Sequence, residues 1–340
     1  MIDRARLDRT HAANSSALVQ LLAEAEDLST TTQAFPDERL KLLFVCAHPA
    51  IDARVHTPLM LQVVLGLEAA DIAAAFVTPA STMGQRLSRA KAKIRDAHLA
   101  FEVPSGAELP GRLFAVLEAV YAAYAFGWDD VDGADEKRRG LADEGLGLAR
   151  TLATLMPDQP EALGLLALLC YCEARRSARR TSGGAYVPMS AQDTARWDRQ
   201  LLAEADRTLQ RAATYHQHGR FQLEAAVQSA HVERLRGAHV DWEEILVLYE
   251  GLTRIAPTLG AQLGKIAAVC EARGPAAAFA LLDALQLDDV REHQPYWVVR
   301  AHLLQALGRD VAAAEALHKA LEMTEDPAVR AFLARSSQQH

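Results

Sequence analysis

The sequence predicts an all-α fold: a helix-turn-helix domain followed by a tetratricopeptide-like α-solenoid or helical bundle. Three observations carry this. Alanine and leucine dominate while aromatic residues are only 6% of the 340, and both residues lose little side-chain entropy in a helix. Apolar residues recur at helical spacing, as in Met83, Leu87, Ala90 and Ile94, which places them on one stripe. Glycine and proline punctuate the chain at helix-length intervals, at Gly127, Pro157, Gly183-Gly184, Gly219, Gly237, Pro257, Gly274, Gly308 and Pro327.

Three segments follow from this reading. Residues 1–36 form a linker with one amphipathic helix, Ala17–Leu28. Residues 37–98 hold four helices in a domain extending to 103. The first starts at Asp37-Glu38, carries Leu40, Leu43 and Phe44, and is stopped by Pro49. The second has Pro58 in its first turn and Gly66 at its end. The third is Ala69–Phe76, and the fourth opens at Thr78-Pro79, with threonine as cap and proline at the first helical position. Residues 104–340 give about ten more helical stretches. Gly274 and Gly308 are 34 residues apart, the tetratricopeptide period. Trp297, Gly308, Ala313 and Ala320 fall where that repeat has a bulky residue, a turn glycine and two small packing residues.

The formal net charge of −8 excludes a chain that binds nucleic acid over its whole surface, so the local distribution decides. Arg86, Arg89, Lys91, Lys93 and Arg95 follow one another without an acidic residue, whereas the chain after Ser105 is net acidic. Thr82, Arg86, Arg89 and Lys93 share one stripe of the fourth helix, with Gln85 beside them. A recognition helix needs this division: one side docks on the preceding helix and the other enters the major groove. Arginine and glutamine can read base edges bidentately, lysine and arginine grip phosphates, and the helix start at Ser81 and Thr82 can add amide contacts to phosphate.

The residues from Asp37 to Ile51, DERLKLLFVCAHPAI, and from Leu61 to Ala97, LQVVLGLEAADIAAAFVTPASTMGQRLSRAKAKIRDA, resemble region 4 of extracytoplasmic-function sigma factors. The similarity is to the subfamily with a tetratricopeptide-like C-terminal extension. It rests on Ala47-His48-Pro49-Ala50-Ile51, on Gly84-Gln85-Arg86 and Arg89-Ala90-Lys91, and on Glu108-Leu109-Pro110. Gly274-Pro275-Ala276-Ala277, Leu281-Leu282-Asp283-Ala284-Leu285 and Leu307-Gly308-Arg309-Asp310 add to it. The resemblance implies that Ser81, Thr82, Gln85, Arg86, Arg89 and Lys93 contact the −35 promoter element. It implies that the helix with Leu40, Leu43 and Phe44 helps hold the β-flap of RNA polymerase, and that the extension modulates activity. Where the family has Asn-Glu-Gly, this sequence reads Ala125-Phe126-Gly127. Of the upstream promoter-melting region 2, only Ile2-Asp3-Arg4 resembles a part, its tail.

Other readings carry less. Cys46, His48 and His56 do not match a common zinc spacing; a buried thiol and a helix-end histidine are expected, with no metal or cofactor. Arg175–Arg180 (RRSARR) is expected as a solvated helix end, and Arg180–Gln192 as a flexible loop. P-loop, GxGxxG, GxSxG and HExxH patterns are absent, so a non-enzyme is expected. Four scattered cysteines, a start without an apolar core and no apolar run of about 20 residues point to a cytoplasmic protein with no membrane partner. The alternative function is a helical-repeat scaffold for a protein ligand, without direct DNA binding.

Overall fold

A computed structural model describes residues 35–76, 78–96, 104–129, 140–233, 240–286 and 290–336. The helix expected at Ala17–Leu28 and the break at Gly237 lie outside them. Among the described residues the fold is all-α, and the only β feature is a single bridge between Arg180 and Tyr186. The chain divides into two compact units between Gln159 and Pro160; the boundary expected at 103/104 falls inside the first.

The first unit contains α1 (Glu38–Cys46), α2 (Ala53–Val63), α3 (Ala69–Ala75), α4 (Ala80–Asp96), α5 (Leu109–Asp129) and α6 (Leu141–Leu155). Asp37 caps α1 by accepting the Arg39 amide at 2.7 Å, as its position before the apolar run requires. The hydrogen bond from the Arg39 side chain holds the Asp37 carboxyl below the usual carboxylate range. Helix α2 begins five residues before Pro58, because Asp52 caps it through the Arg54 amide at 3.0 Å. Pro58 is therefore internal and buried, a correction to its expected place in the first turn; one backbone hydrogen bond is forfeited there. Gly66 ends the segment with φ +70°, a conformation glycine adopts without a Cβ penalty.

Helix α5 packs against α1, α2 and α6. Its Arg112 is buried, donating from Nη1 to the Phe44 carbonyl at 3.2 Å and from Nη2 to Glu108 at 3.1 Å. Leu109–Trp128 is long and apolar enough to cross a bilayer by length and composition, contrary to the expectation that no run reaches that length. Half of it is buried within the protein, as a core helix would be. Gly127 is not a helix break either. It lies inside α5, where an added Cβ would come within 2.3 Å of the Ala142 backbone nitrogen. On α6, Gly145 similarly admits the backbone of Tyr124.

The second unit contains α7 (Pro160–Ala174), α8 (Arg199–Ala213), α9 (Arg220–Val232), α10 (Trp242–Ile255), α11 (Leu259–Arg273), α12 (Pro275–Asp283), α13 (Gln294–Ala306), α14 (Asp310–Glu322) and α15 (Pro327–Ser336). Helix α7 is apolar on nearly every face because α8 and α9 both pack on it, which is what an all-round hydrophobic helix needs. From α10 onward, successive helices pack on their neighbours around one core that includes Ile245, Ile266, Leu282, Trp297 and Leu304. Gly308 closes α13 with φ +69°, donating to the Gln305 carbonyl while the Arg309 amide donates to Leu304, both at 2.9 Å; this pair of bonds is a Schellman motif. Trp297, Ala313 and Ala320 are buried, and the Lys319 ammonium sits 4.2 Å from the Trp297 ring centroid.

The RRSARR run departs from expectation. Arg175 and Arg180 are buried: Arg175 bonds the Tyr171 carbonyl and Gln228, and Arg180 pairs with Asp326. Arg196 donates to the carbonyls of Ser177 and Arg180. The segment 180–192, expected as a flexible loop, is tied by these bonds, by the bridge to Tyr186, and by a T-shaped contact of Tyr186 with Phe332, ring centroids 5.3 Å apart. Arginine is suited to such sites, since its planar fork satisfies several acceptors at once.

Candidate nucleic-acid interface

The candidate site is the outer face of α4. Helix α3 is seven residues long; Phe76, at its end, is a turn residue, and Thr78 and Pro79 lead into α4. The turn is held by the Thr78 amide on the Ala73 carbonyl at 2.9 Å and by the Thr78 hydroxyl on Phe76 at 3.0 Å. Thr78 thus folds its side chain back into the turn rather than capping α4, and the helix begins at Ala80, one residue past Pro79.

Met83, Leu87, Ala90 and Ile94 are all buried, together with Ile72 on α3. Helix α4 packs on both α2 and α3. Docking this stripe leaves the neighbouring polar one, about 100° further round the helix, outward. Ser81, Gln85, Arg86, Arg89 and Lys93 are exposed, and Thr82 is half-buried. Among the described residues, none of the side chains of Gln85, Arg86, Arg89 and Lys93 has a hydrogen-bond or ion-pair partner. Thr82 to Lys93 spans about 16 Å at 1.5 Å rise per residue. Lys91, off this stripe, is half-buried, and burial lowers its pKa. The face can therefore offer three cations along a line and one amide beside it, with water as the competing partner. Gly84 lies on this helix with nothing within 4 Å of a Cβ built on it.

The second set of expected contact residues is placed differently. Leu40, Leu43 and Phe44 are each 0% exposed. Phe44 packs on Phe35 with ring centroids 5.9 Å apart, and its carbonyl accepts from Arg112. These three hold α1 in the core and present no surface to a partner, which corrects their expected contact role. Apolar periodicity marks a buried face and a docking face alike, so the sequence could not separate the two.

The Cys46, His48 and His56 group has an architectural use. His56 Nε2 lies 3.1 Å from the carbonyls of both His48 and Ile51, and the Ala50 amide donates to His48 Nδ1 at 3.1 Å. Burial pushes the Cys46 thiol up to about 12. Sequence reasoning missed Arg112 and Glu161. A lone arginine four residues after Glu108 in an apolar helix was the available signal for the first. Glu161 binds the start of α9 and has no local signal, because its partners are some 60 residues away.

Comparison with known proteins finds one family and one relative. A family of unknown function, DUF6596, matches residues 112–213, which run from α5 to the end of α8. An uncharacterized protein of Rhizobium meliloti (strain 1021) is 34% identical over 299 residues, covering 88% of this chain and 70% of that protein. The chain belongs to the family of that Rhizobium protein. No solved structure matches it.

Proposed function

We propose that the chain recognises promoter DNA in the manner of region 4 of an extracytoplasmic-function sigma factor, with α3 and α4 as its helix-turn-helix. The observation that carries this reading is the two-sidedness of α4. Its Met83–Ile94 stripe is buried, and the Gln85, Arg86, Arg89 and Lys93 side chains are exposed, with no hydrogen-bond or ion-pair partner among the described residues. Helix α4 is long enough to lie in a major groove about 12 Å wide. Arg86, Arg89 and Gln85 are the base-reading candidates, and Lys93, Ser81 and Thr82 grip phosphate. The second unit, read as a degenerate tetratricopeptide-like array, modulates that activity. Contact with the polymerase flap falls to exposed groups of the first unit, since Leu40, Leu43 and Phe44 are covered.

The test is a titration of a −35-type duplex at fixed salt. Arg86→Ala plus Arg89→Ala weakens binding, each lost base contact costing about 1–3 kcal/mol, and the affinity of the wild type falls steeply with salt. Unchanged affinity in the double variant refutes the reading. A helical-repeat scaffold for a protein ligand, without direct DNA contact, is the second reading, favoured by the successive packing of helices α10 to α15. It is supported if the duplex and the isolated polymerase flap both fail to bind and a protein partner is pulled down.

A further inference from the structure

Between α13, α14 and α15 lies a groove of about 450 Å³. Its floor is Val298, Ala301, Leu317 and Leu333. Phe332 forms one wall, and its ring packs on Tyr186 in a T-shaped contact. Asp326, at the start of the same helix, is held by Arg180. The wall is thus pinned from outside the α13–α14 pair, so the groove is formed before anything enters it. Preformed concavities of this size, apolar with a few polar groups, are the usual form of small-molecule sites. Small side chains keep this one open: Ala301 on α13 faces it together with Ala313 and Ala314 on α14.

The mouth fixes the class of occupant. Its polar groups are His302, Gln305 and Asp310. No lysine or arginine is among the lining residues, and no hydrogen bond or ion pair engages the Asp310 carboxylate among the described residues. We propose that this groove binds a small amphiphilic cation, an apolar body carrying one protonated amine, with the body on the Val298–Leu333 floor and the ammonium at Asp310. The site is independent of the α4 face and of the promoter reading.

The experiment titrates the full chain, with labelled methyl groups, against phenylbutylamine, phenylbutanol and phenylbutyrate. The expected result is saturable binding of the amine in the submillimolar to millimolar range, shifting the Val298, Leu317 and Leu333 methyl signals. The amine binds about three- to fivefold tighter than the alcohol, the gain expected of a solvent-exposed ion pair, and the acid binds weakest. Asp310→Asn abolishes the preference for amine over alcohol but retains binding of the alcohol. Ala314→Trp, at an exposed position that does not threaten folding, blocks all three. The proposal is overturned if none of the three probes saturates, if they bind equally well, if the shifts map elsewhere, or if Ala314→Trp leaves binding intact.

Discussion

The carboxylate of Glu161, in the first turn of α7, accepts the backbone amides of Phe221 at 2.9 Å and Gln222 at 3.1 Å. One helix therefore caps another. The N-terminus of α9 is preceded by Gly219, which has no side chain to offer, and the first amides of a helix need an acceptor from somewhere. Glu161 also accepts from the Gln222 side chain at 3.2 Å. Glu161→Ala should cost about 1–2 kcal/mol, the usual worth of a cap, and Glu161→Gln less, since one acceptor oxygen survives. A Cβ at Gly219 would come within 2.1 Å of the Glu161 carboxyl carbon, so Gly219→Ala should displace the same cap. Urea unfolding of the two single variants and the double variant checks this: the costs should be clearly sub-additive. Additive costs would mean that the two residues act separately.

Two glycines on helices should respond oppositely to alanine. At Gly127 the new methyl meets the Ala142 backbone, which cannot swing aside, and overpacking of that kind typically costs 1–3 kcal/mol or more. At Gly84 the methyl meets nothing, so Gly84→Ala should stabilise by about 0.5–1 kcal/mol through helix propensity. Thermal melts of the two variants decide it, and a destabilised Gly84→Ala would show that the α4 backbone is not the regular helix described. The pair also shows where sequence reading stopped. Gly127 reads as a helix break and Gly84 as part of a helix from their neighbours alone; only the approach of α6, set by residues further along the chain, makes Gly127 a packing glycine inside α5.

The same limit governs the rest. Legible were features whose cause is local: the Asp37 cap, the division of α4 into a buried stripe and a basic stripe, and the turn glycines at 274 and 308. Illegible were features whose cause is a distant partner. The run that ends at Arg180 follows a helix end and predicts a solvated cation, yet Asp326, 146 positions away, takes it into the protein. The start of α2 was misplaced because Pro58 is a strong start signal and the Asp52 cap a quieter one. In the candidate site, the direction of Arg86, Arg89 and Gln85 followed from periodicity. The burial of Leu40, Leu43 and Phe44 beneath α5 did not, because nothing near them in the chain announces the Arg112 guanidinium on the Phe44 carbonyl.

That contact bears on any attempt to separate the two parts of the chain. Helices α5 and α6 belong to the same compact unit as α1–α4, with Leu113, Val116, Leu117 and Val120 in its core. A chain cut after Val103 exposes the faces of α1 and α2 that these residues cover. It should lack a cooperative unfolding transition, whereas a chain cut after Gln159 should retain one. Differential scanning calorimetry of the two fragments checks this, and a cooperative transition in the shorter one would show that α5 is dispensable. A change of activity after deletion from residue 104 thus reports loss of packing as well as loss of the second unit; only the cut at 159 isolates the latter.

Asp326 gives the second unit a defined acid response. Burial by itself would raise its pKa, but the amides of Val329 and Ala328 and the Arg180 guanidinium outweigh this and hold it below the ordinary value of 3.8. A carboxyl whose folded pKa is depressed contributes stability above its unfolded pKa, and that contribution is lost as pH falls through the lower folded value. The wild type should therefore exceed Asp326→Asn in stability by a constant margin from pH 7 to about pH 5. The margin should shrink from about pH 4 downward, where the protonated aspartic acid resembles the amide. Asparagine can still accept from Ala328 and Val329, the bonds Asp326 makes at 2.8 and 3.2 Å, so the cap's geometry is kept and the difference reports the carboxylate's charge, toward Arg180 and toward those two amides. Urea midpoints at half-unit steps of pH measure it. A margin that persists unchanged at pH 3 would show that packing, and not ionisation, joins α15 to the 180–192 segment.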